Sequence, residues 1–409
     1  MVNLSLADIR EARTRIAGGI YLSPCPESIP ISEVCGSTVY CKLEYLQRTG
    51  SFKERGARHA LMQLDAPQRK QGVVAASAGN HALGLAYHGK LLGIPVTVVM
   101  PAFAPLIKRF TCEKLGARVV LHGDNLDAAR AKADEIQATE GLKYIHGFDG
   151  IDVIAGQGTI ALEVLEQVPD ADAILVPVGG GGLIAGIAVA AKAIRPDLQV
   201  IGVEPENAAC FTAALKAGAP THIGLKPTLA DGLAVSRVGA NAFALARPLV
   251  DRIVTVSEKY LELATLRLIE LEKGVVEGAA AAPLAAFLEH GMPELSGKKV
   301  VLILSGGNID PMVLGRVIEK AMVADGRLCR FTAVVSDRPG GLSKLSEAIA
   351  AAGAQIKDIF HDRIFSGSDI FSVNVLCVVE VQNAAHKTRL YESIRAKGIE
   401  VIEQSHAAE

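Results

Sequence analysis

Residues 173–194 read AILVPVGGGGLIAGIAVAAKAI and carry no charge before Lys192. The first six residues are apolar without alternation, which is typical of a strand that is covered on both faces of a parallel sheet. Four glycines follow, and the next apolar run predicts a buried helix that begins at Leu183. Backbone N–H groups in such a loop can converge on one anion, and the helix N-terminus adds positive potential. The segment therefore predicts a strand, an anion-binding loop and a helix of an α/β protein.

Residues 173–194 could also be interpreted as a membrane span, a P-loop or a dinucleotide-binding loop, and the sequence supports these to different degrees. Residues 173–191 are uncharged and close in length to a membrane span, but four consecutive glycines are a poor centre for a spanning helix. A P-loop is excluded because no Lys-Ser/Thr pair follows the glycines. The order Gly180-x-Gly182-x-x-Ala185 does fit the dinucleotide fingerprint, with Glu204 placed as a ribose-binding acid. On this motif alone, a nicotinamide cofactor and another phosphate ligand stay open.

Apolar segments of strand and helix character alternate on both sides of this loop. Strands are predicted at residues 72–76, 96–100, 118–121, 144–146, 173–178, 199–203 and 299–304. Helices are predicted at residues 80–92, 108–115, 124–139 and 183–194. This order predicts two α/β units with parallel sheets and a ligand between them.

The pattern changes near residue 325. Strands are predicted at residues 330–336, 355–361, 370–381 and 399–402, and helices at 340–352 and 384–397. This βαββαβ order is typical of a small ferredoxin-like module that is separate from the main body. Its first strand-to-helix turn, residues 337–341, is rich in glycine, as small-ligand sites often are. A module that only dimerises remains the alternative.

Composition limits the class of protein. The chain has 409 residues, of which 50% are hydrophobic and 21% charged, with a formal net charge of −2. This excludes a mainly disordered chain, and the absence of a basic block argues against nucleic acid as a partner. The seven cysteines form no C-x-x-C pair, which indicates buried thiols in a reducing compartment. The N-terminus carries charges where a secretory signal needs an apolar run, so we expect a cytoplasmic protein with no membrane segment.

A lysine opens a further predicted helix. Residues 51–57 read SFKERGA, and the helix runs to about residue 64. Lys53 is expected in the first turn, where the helix dipole disfavours a protonated amine and a cleft would desolvate it. Both effects favour the neutral amine that Schiff-base chemistry needs. On these grounds alone, a solvated lysine without a chemical role is the commoner outcome.

Two polar turns follow predicted strands. Residues 77–82 read SAGNHA, and their backbone N–H groups could hold a carboxylate while Asn80 bonds a ring hydroxyl. Residues 305–308 read SGGN, which places Ser305 at the carboxyl end of a strand, where ligands of α/β folds bind. Each turn alone is a weak signal, because turns are commonly rich in Ser, Gly and Asn.

Together the four motifs are specific. In their order and spacing, the chain resembles the pyridoxal-phosphate dependent serine/threonine dehydratases (threonine ammonia-lyases) over roughly residues 5–325. The C-terminal residues resemble an ACT regulatory domain, as in threonine dehydratases of intermediate length. The resemblance implies the type II fold of pyridoxal-phosphate enzymes (tryptophan synthase β-like). It also implies a catalytic domain 1–325 with a small subdomain inserted at about 45–150, and an ACT-like domain 326–409.

The resemblance implies a role for each matched residue. Lys53 matches the lysine that binds pyridoxal phosphate covalently, and Phe52 is expected against the cofactor ring. Asn80 is expected to bond the 3′-oxygen of the ring, and Ser305 the pyridine nitrogen. The cofactor phosphate would accept hydrogen bonds from the N–H groups of Gly179, Gly180, Gly181, Gly182 and Leu183. The substrate carboxylate would be held by Ser77, Asn80 and the amide of His81.

The implied reaction is a β-elimination. Lys53 takes the Cα proton, the β-hydroxyl leaves as water, and L-threonine gives 2-oxobutanoate and ammonia, with L-serine also a substrate. A neutral serine at the ring nitrogen suits elimination better than transamination. Another β-hydroxy amino acid such as 3-hydroxyaspartate is the alternative substrate, since Arg58, His59 and Arg109 cannot be placed from sequence. A nicotinamide-dependent dehydrogenase and an amino-acid sensor with an inactive catalytic half are alternatives outside the family.

Two departures from relatives refine this prediction. Ala78 stands where serine racemases have a serine that acts as acid and base, so racemisation is expected to be poor. Some relatives bind Mg²⁺ or Ca²⁺ through a glutamate, a carbonyl and an aspartate. Here Glu204 and Ala208 match, but Cys210 takes the third position and is a poor ligand for hard cations, so no metal is predicted.

Some features remain open at this level. Glu277 resembles a position near the cofactor ring, and it could equally be an ordinary glutamate at a helix start. Asp231 matches a family segment, but a structural role in a turn is the commoner outcome. For the ACT-like domain, the family expectation is isoleucine or valine as effector. A homodimer or homotetramer is expected.

Overall fold

The structure is a computed structural model that describes residues 2–362 and 370–403. It divides into two compact units, Met1–Asp310 and Pro311–Glu409. The strands of the first unit are β1 Thr38–Leu43, β2 Val73–Ala76, β3 Val96–Met100, β4 Arg118–Leu121, β5 Lys143–Tyr144, β6 Ala173–Pro177, β7 Gln199–Pro205, β8 Arg252–Val256 and β9 Lys299–Leu304. Its helices are α1 Leu6–Ile16, α2 Ile29–Cys35, α3 Lys53–Met62, α4 Ala66–Gln71, α5 Asn80–Leu92, α6 Leu106–Lys114, α7 Leu126–Glu140, α8 Ile151–Gln167, α9 Gly182–Ile194, α10 Cys210–Ala217, α11 Ala240–Ala246, α12 Glu258–Glu272 and α13 Gly278–His290.

The larger sheet of this unit is parallel, with the strand order β1-β9-β6-β7-β8. Alternate residues of β6 pack in opposite directions. Ile174 and Val176 belong to a hydrophobic cluster with α8 and α9, whereas Leu175 belongs to a cluster with α12 and α13. Both faces are therefore covered, which is the physical reason for the unbroken apolar run in the sequence.

The smaller sheet is also parallel, with the order β4-β3-β2-β5. The bounds of β3, β4, β9 and α5 coincide with the predicted ones, and the predicted α/β architecture with two parallel sheets is confirmed. The strand predicted at residues 144–146 is instead β5, which ends earlier. Its extension is replaced by a turn, because His146 Nδ1 accepts the N–H groups of Phe148 and Asp149.

The register of the sheets decides where the polar turns lie. Leu43 at the end of β1 is paired with Leu304 at the end of β9, so Glu44 and Ser305 leave the sheet at the same edge. The glycine loop leaves β6 at this carboxyl edge too, and residues 77–79 leave the carboxyl end of β2. In parallel α/β folds this edge is the usual place for a ligand.

The second unit consists of α14 Pro311–Ala324, β10 Leu328–Ser336, α15 Gly341–Ala351, β11 Gln355–Asp362, β12 Ser372–Glu380, α16 Ala384–Ala396 and β13 Glu400–Glu403. Its sheet is antiparallel, with the order β11-β12-β10-β13. Phe331, Ala333 and Val335 alternate into a core shared with α15 and α16. From β10 onward the element order is the predicted βαββαβ.

The division between the units falls at Asp310, before the predicted domain boundary at residue 325, because α14 packs with β10 in the second unit. Residues 363–369 and 404–409 of the predicted ACT-like domain lie outside the described residues. Within the described part of the chain, no helix is both long and apolar enough to cross a membrane.

Candidate active site

A cavity of about 540 Å³ lies at the carboxyl ends of the two parallel sheets. The segments that contribute to its wall include the start of α3, the turn after β2, the loop after β6 and the turn after β9. The wall includes every residue that the motifs singled out for cofactor or substrate, namely Phe52, Lys53, Ser77, Asn80, His81, Gly179, Gly180, Gly181, Gly182, Leu183 and Ser305. The tertiary structure thus brings residues more than 250 positions apart into one site.

Lys53 is the first residue of α3. Its Nζ donates to the carbonyl oxygen of Gly147 at 2.7 Å. Burial lowers the pKa of the Lys53 amine to about 8, although the carboxylate of Glu277 acts in the opposite direction. A larger share of this amine is neutral near physiological pH than in an ordinary lysine, which is the property that nucleophilic or base chemistry requires.

The glycine loop is crowded by protein as well as open to the cavity. A Cβ on Gly180 would lie 2.2 Å from the ring of Phe148, and one on Gly182 would lie 2.2 Å from the Phe148 carbonyl oxygen. Gly181 has a φ of +90°, and it is the loop glycine with a left-handed backbone. Close packing against Phe148 therefore explains Gly180 and Gly182, and the positive φ explains Gly181.

Helix α9 begins at Gly182, directly after this loop. The first N–H groups of a helix have no acceptor within the helix, and the dipole favours negative charge there. The N-terminus of α5, which begins at Asn80, lines the same cavity. Two helix N-termini can thus receive two anionic groups of a ligand.

Asn80 is held between two other polar side chains. Its Nδ2 donates to the carboxylate of Glu277 at 2.8 and 3.1 Å, and its Oδ1 accepts from Asn308 Nδ2 at 2.8 Å. Burial raises the pKa of Glu277 to about 7. Glu277 does stand at the start of a helix, α13, but its side chain makes no cap and faces Asn80 instead. The ring-side interpretation of Glu277 therefore agrees with its position in the wall of the cavity.

Two histidines beside Lys53 are held neutral. Burial, reinforced by the Lys53 charge, lowers the pKa of His81 to about 3. Burial also lowers the pKa of His146 to about 4, with Arg130 and Lys53 adding to the effect. His81 Nε2 faces the carbonyl of Ile145 at 3.2 Å, so that nitrogen carries the proton. Neither ring competes with Lys53 for a proton near neutral pH.

Lys108 is a basic residue of the cavity that the sequence interpretation missed. It lies on α6, and its Nζ is 3.7 Å from Asp231 Oδ2, on the 3₁₀ turn Asp231–Leu233. Both side chains line the cavity. Arg58, His59 and Arg109, which were considered as basic groups for an acidic substrate, are absent from the described wall. No motif marks Lys108, because only the packing of α6 decides which of its faces meets the cavity.

Glu204 lies outside the described wall of the cavity. Its carboxylate accepts the N–H groups of Phe211 and Thr212 at 2.7 and 2.9 Å and the hydroxyl of Thr212 at 2.8 Å. Burial raises the pKa of Glu204 to about 7. Because Glu204 lies outside this wall and already accepts three hydrogen bonds, the structure does not support the ribose-binding role that the dinucleotide fingerprint suggested.

Comparison with known proteins gives consistent matches. A profile of the pyridoxal-phosphate dependent enzyme family matches residues 16–306. The L-threonine ammonia-lyase of Thermotoga maritima is 42% identical over 398 residues, which cover 97% of this chain and 99% of that relative. The similarity to this relative therefore extends over both compact units.

Solved structures give the same picture for most of the chain. The processed form of threonine deaminase isoform 2 from Solanum lycopersicum has a TM-score of 0.73 at 36% identity, covering 78% of this chain and 96% of that one. Serine racemase from Dictyostelium discoideum has a TM-score of 0.71 at 38% identity, covering 75% of this chain and 99% of that one. Fold similarity alone therefore does not separate elimination from racemisation.

Proposed function

The chain belongs to the pyridoxal-phosphate dependent enzyme family, and we propose that it is an L-threonine ammonia-lyase, which converts L-threonine to 2-oxobutanoate and ammonia. L-Serine is proposed as a second substrate. The observation that carries the proposal is Lys53, an amine with a lowered pKa in the wall of a cavity that also receives Asn80 and Ser305. The identity of 42% to an L-threonine ammonia-lyase over nearly the whole chain supports the same substrate.

The residues of the cavity fit pyridoxal phosphate. The N–H groups of residues 179–183, at the start of α9, would hold the phosphate, and Lys53 Nζ would bind the cofactor covalently. Phe52 would lie against the ring, Asn80 would donate to the ring oxygen and the Ser305 hydroxyl would bond the ring nitrogen. When bound, this cofactor supplies an electron sink for the electrons that are left when a bond at the substrate Cα breaks.

Lys53 moves the substrate proton in this proposal. Its Nζ, once free of the cofactor, accepts the proton from Cα, and a pKa of about 8 suits an amine that both takes and releases protons near neutral pH. Ser305 offers a neutral hydroxyl rather than a carboxylate to the ring nitrogen, which favours elimination over transamination. Threonine loses water from Cα and Cβ, and hydrolysis of the product then returns one water and releases ammonia.

The N-terminus of α5 would receive the substrate carboxylate. Its early N–H groups, including that of His81, have no acceptor within the helix, and the Ser77 hydroxyl lies in the same wall. The backbone N–H of Asn80 would complete this group, because its side-chain amide faces Glu277 and the ring oxygen. Because the His81 ring is neutral, it adds no positive charge that would compete with the helix N-terminus for the substrate carboxylate.

A neutral β-substituent is favoured over an acidic one by the partners of the basic groups in the cavity. Besides Lys53, the wall carries Lys108, Arg130 and Arg237. Lys108 is paired with Asp231, Arg130 Nε donates to Asp134 at 2.8 Å, and the charge of Arg237 acts on the carboxylate of Asp149. A cation whose charge is already paired attracts a second substrate carboxylate weakly. This supports threonine rather than 3-hydroxyaspartate as the preferred substrate.

Racemisation is disfavoured by Ala78. Its methyl group lies in the wall of the cavity and cannot carry a proton to or from the substrate. The similarity to a serine racemase therefore concerns the fold and the cofactor site. We expect no appreciable D-serine from L-serine.

A substrate profile tests the proposal. The purified protein, loaded with pyridoxal phosphate, is assayed for 2-oxo acid with L-threonine, L-serine and 3-hydroxyaspartate, and for D-serine by chiral chromatography. Highest activity with L-threonine is expected, with loss of activity in Lys53→Ala. Preference for 3-hydroxyaspartate, substantial D-serine, or equal activity of the Lys53→Ala variant would each overturn the corresponding part.

Regulation is proposed for the C-terminal residues. We propose a catalytic domain 1–325 with a small subdomain at about 45–150, and an ACT-like domain 326–409, supported by the βαββαβ order of the second unit. Isoleucine or valine is the proposed effector, a homodimer or homotetramer the proposed assembly, and the cytoplasm the proposed location. Activity measured against isoleucine and valine tests the regulatory role, and flat curves would contradict it.

A further inference from the structure

Two loops that carry cofactor-directed residues are joined by their backbones. The Phe52 N–H donates to the Ser305 carbonyl at 3.0 Å, and the Gly307 N–H donates to the Gly50 carbonyl at 2.9 Å. Between them, Ser51 and Gly306 form an antiparallel bridge. Lys53 is the residue after Phe52, and Ser305 is itself one of the bonded residues. The separation of Lys53 and Ser305 is therefore set by main-chain hydrogen bonds rather than by side chains.

Asn80 lies after β2 of the smaller sheet, and its side chain is hydrogen bonded to Asn308, in the turn after β9. Its Oδ1 accepts from Asn308 Nδ2 at 2.8 Å, and the same Nδ2 donates to the Thr49 carbonyl at 2.7 Å. Asn308 also packs closely: a Cβ on Gly50 would lie 2.5 Å from Asn308 Oδ1. Asn308 is absent from the described wall of the cavity, so it acts on a ligand there only through its neighbours.

These contacts determine the orientation of the side-chain amides of Asn308 and Asn80. A backbone carbonyl only accepts hydrogen bonds, so Thr49 holds the Asn308 nitrogen in place. The other N–H of Asn308 Nδ2 is donated to Asn80, so the Asn80 oxygen must face it as the acceptor. The Asn80 nitrogen is consequently turned to the opposite side, where Glu277 lies.

Glu277 does not impose this orientation by itself. Because burial raises the pKa of Glu277 to about 7, its carboxyl group exists in both protonation states near neutral pH. The protonated form can donate to an amide oxygen as readily as the ionised form accepts from an amide nitrogen. The direction of the Asn80 amide is therefore set from the Thr49 carbonyl through Asn308, and it is independent of pH.

We propose that Asn308 is a positioning residue that orients the Asn80 amide, so that an N–H donor and not a carbonyl oxygen faces the cofactor ring. This inference rests on the proposed function, in which Asn80 donates to the ring oxygen of pyridoxal phosphate. Loss of the relay removes one donor from the cofactor and leaves Lys53 and Ser305 in place, because the backbone pairing of their loops does not involve the Asn308 side chain.

Asn308→Asp tests the relay, since it keeps the shape and removes both N–H donors. Its carboxylate faces the Thr49 carbonyl and the Asn80 oxygen, and Asn80 is expected to turn over. We expect the dissociation constant for pyridoxal phosphate, titrated into the apoprotein, to rise roughly 10- to 100-fold, as for loss of a hydrogen bond to a charged oxygen. The absorbance maximum of the bound cofactor is expected to shift. Asn308→Ala, which leaves Asn80 unconstrained, is expected to have a smaller effect on both readouts.

Asn207→Asp is the matched control. Asn207 Nδ2 donates to the Pro227 carbonyl at 2.7 Å, the same bond type and length as the Asn308–Thr49 contact, and also to Glu258 Oε1 at 3.4 Å, so the variant likewise places a carboxylate beside two acceptors. Asn207 lies outside the described wall of the cavity. This control is expected to bind the cofactor as the wild type does. An equal loss in both variants would overturn the inference, because it would show a general effect of the substitution.

A double-mutant cycle separates orientation of Asn80 from a purely structural role. In an Asn80→Ala background, Asn308→Asp is expected to cause no further change in the dissociation constant or the absorbance maximum. Additive effects would overturn the inference, as would wild-type behaviour of Asn308→Asp. Failure of the proposed function is distinguishable, because the wild-type protein itself would then bind no pyridoxal phosphate or form no 2-oxobutanoate from threonine.

Discussion

Lys53 and Arg55 lie two residues apart in the first turn of α3, and their surroundings differ completely. Arg55 is fully buried, and its guanidinium donates to both oxygens of Glu44, each at 2.8 Å, and to Glu163 at 2.6 Å. Lys53 has the Gly147 carbonyl as its hydrogen-bond partner. The ion pairs raise the pKa of Arg55 although burial opposes this, whereas burial lowers the pKa of Lys53 to about 8.

The difference follows from helix geometry. Residues two apart on an α-helix point to nearly opposite sides. Arg55 points into a closed cluster that also holds Lys42, whose Nζ donates to Glu163 at 2.7 Å and to the Ser23 carbonyl at 2.6 Å. Lys53 points into the cavity. Removal of a buried cation that has a complete set of acceptors leaves buried carboxylates unpaired and destabilises the fold, whereas a cation with an incomplete set is left free for chemistry.

Removal of the amine tests the chemical side of this comparison. Lys53→Ala is expected to lower kcat for threonine by roughly 10⁴-fold or more, as for loss of a residue that both binds and moves protons. Urea unfolding of the apoprotein is expected to show unchanged or higher stability, because a buried amine with a costly charge is removed. A variant that is inactive because it is unfolded would contradict the assignment of Lys53 to chemistry alone.

Removal of the guanidinium tests the structural side. Arg55→Met leaves the buried carboxylates of Glu44 and Glu163 short of a partner, so the free energy of unfolding is expected to fall by about 3–5 kcal/mol. Arg13→Ala is the control, since it breaks an ion pair with Glu166 that is 38% and 58% exposed. That control is expected to cost about 0–1 kcal/mol. Equal losses in urea titrations would show that the buried cluster has no special role.

The pH dependence of cofactor loading tests the lowered pKa of Lys53. Only the neutral Lys53 amine attacks the cofactor aldehyde, so the rate of reconstitution of the apoprotein is expected to rise with pH, with a midpoint near 8. Below the midpoint the rate is expected to fall about tenfold per pH unit. Stopped-flow absorbance from acid to alkaline pH measures this. A midpoint near 10.5, the value of an ordinary lysine, would contradict the effect of burial.

Lys108 is an intermediate case, a cavity cation with one partner, Asp231, whose side chain is 65% exposed. Asp231→Asn frees the Lys108 charge, so kcat/KM for 3-hydroxyaspartate relative to threonine is expected to increase about 2- to 5-fold, as for other exposed pairs. Glu113→Gln, which breaks the pair with Arg109 on the same helix, is the matched control and is expected to leave the ratio unchanged. An equal shift in both variants would show a general effect of charge.

The predicted elements were most accurate where burial leaves an unbroken apolar run. Strands β3 and β9 have the predicted bounds for this reason, since every residue of β3 and all but the first residue of β9 are buried. Strand β1 was not identified, because it includes Lys42 and lacks such a run; nothing local shows that this lysine is buried by Glu163 and the Ser23 carbonyl. Helix α14 packs with β10 of the second unit, whereas the predicted domain boundary lies after this helix. The local sequence does not show which sheet a helix packs on.

The sequence by itself determined the parallel α/β fold, the glycine loop and the four segments that would hold a phosphate-bearing cofactor and an amino acid. These features depend on local composition and on the spacing of residues, both of which can be read directly from the sequence. Only the tertiary structure decided that Lys108 faces the cavity, that Glu204 is engaged elsewhere and that Asn308 turns the amide of Asn80. Such contacts join residues far apart in the chain, and their direction depends on donors and acceptors that meet only after folding.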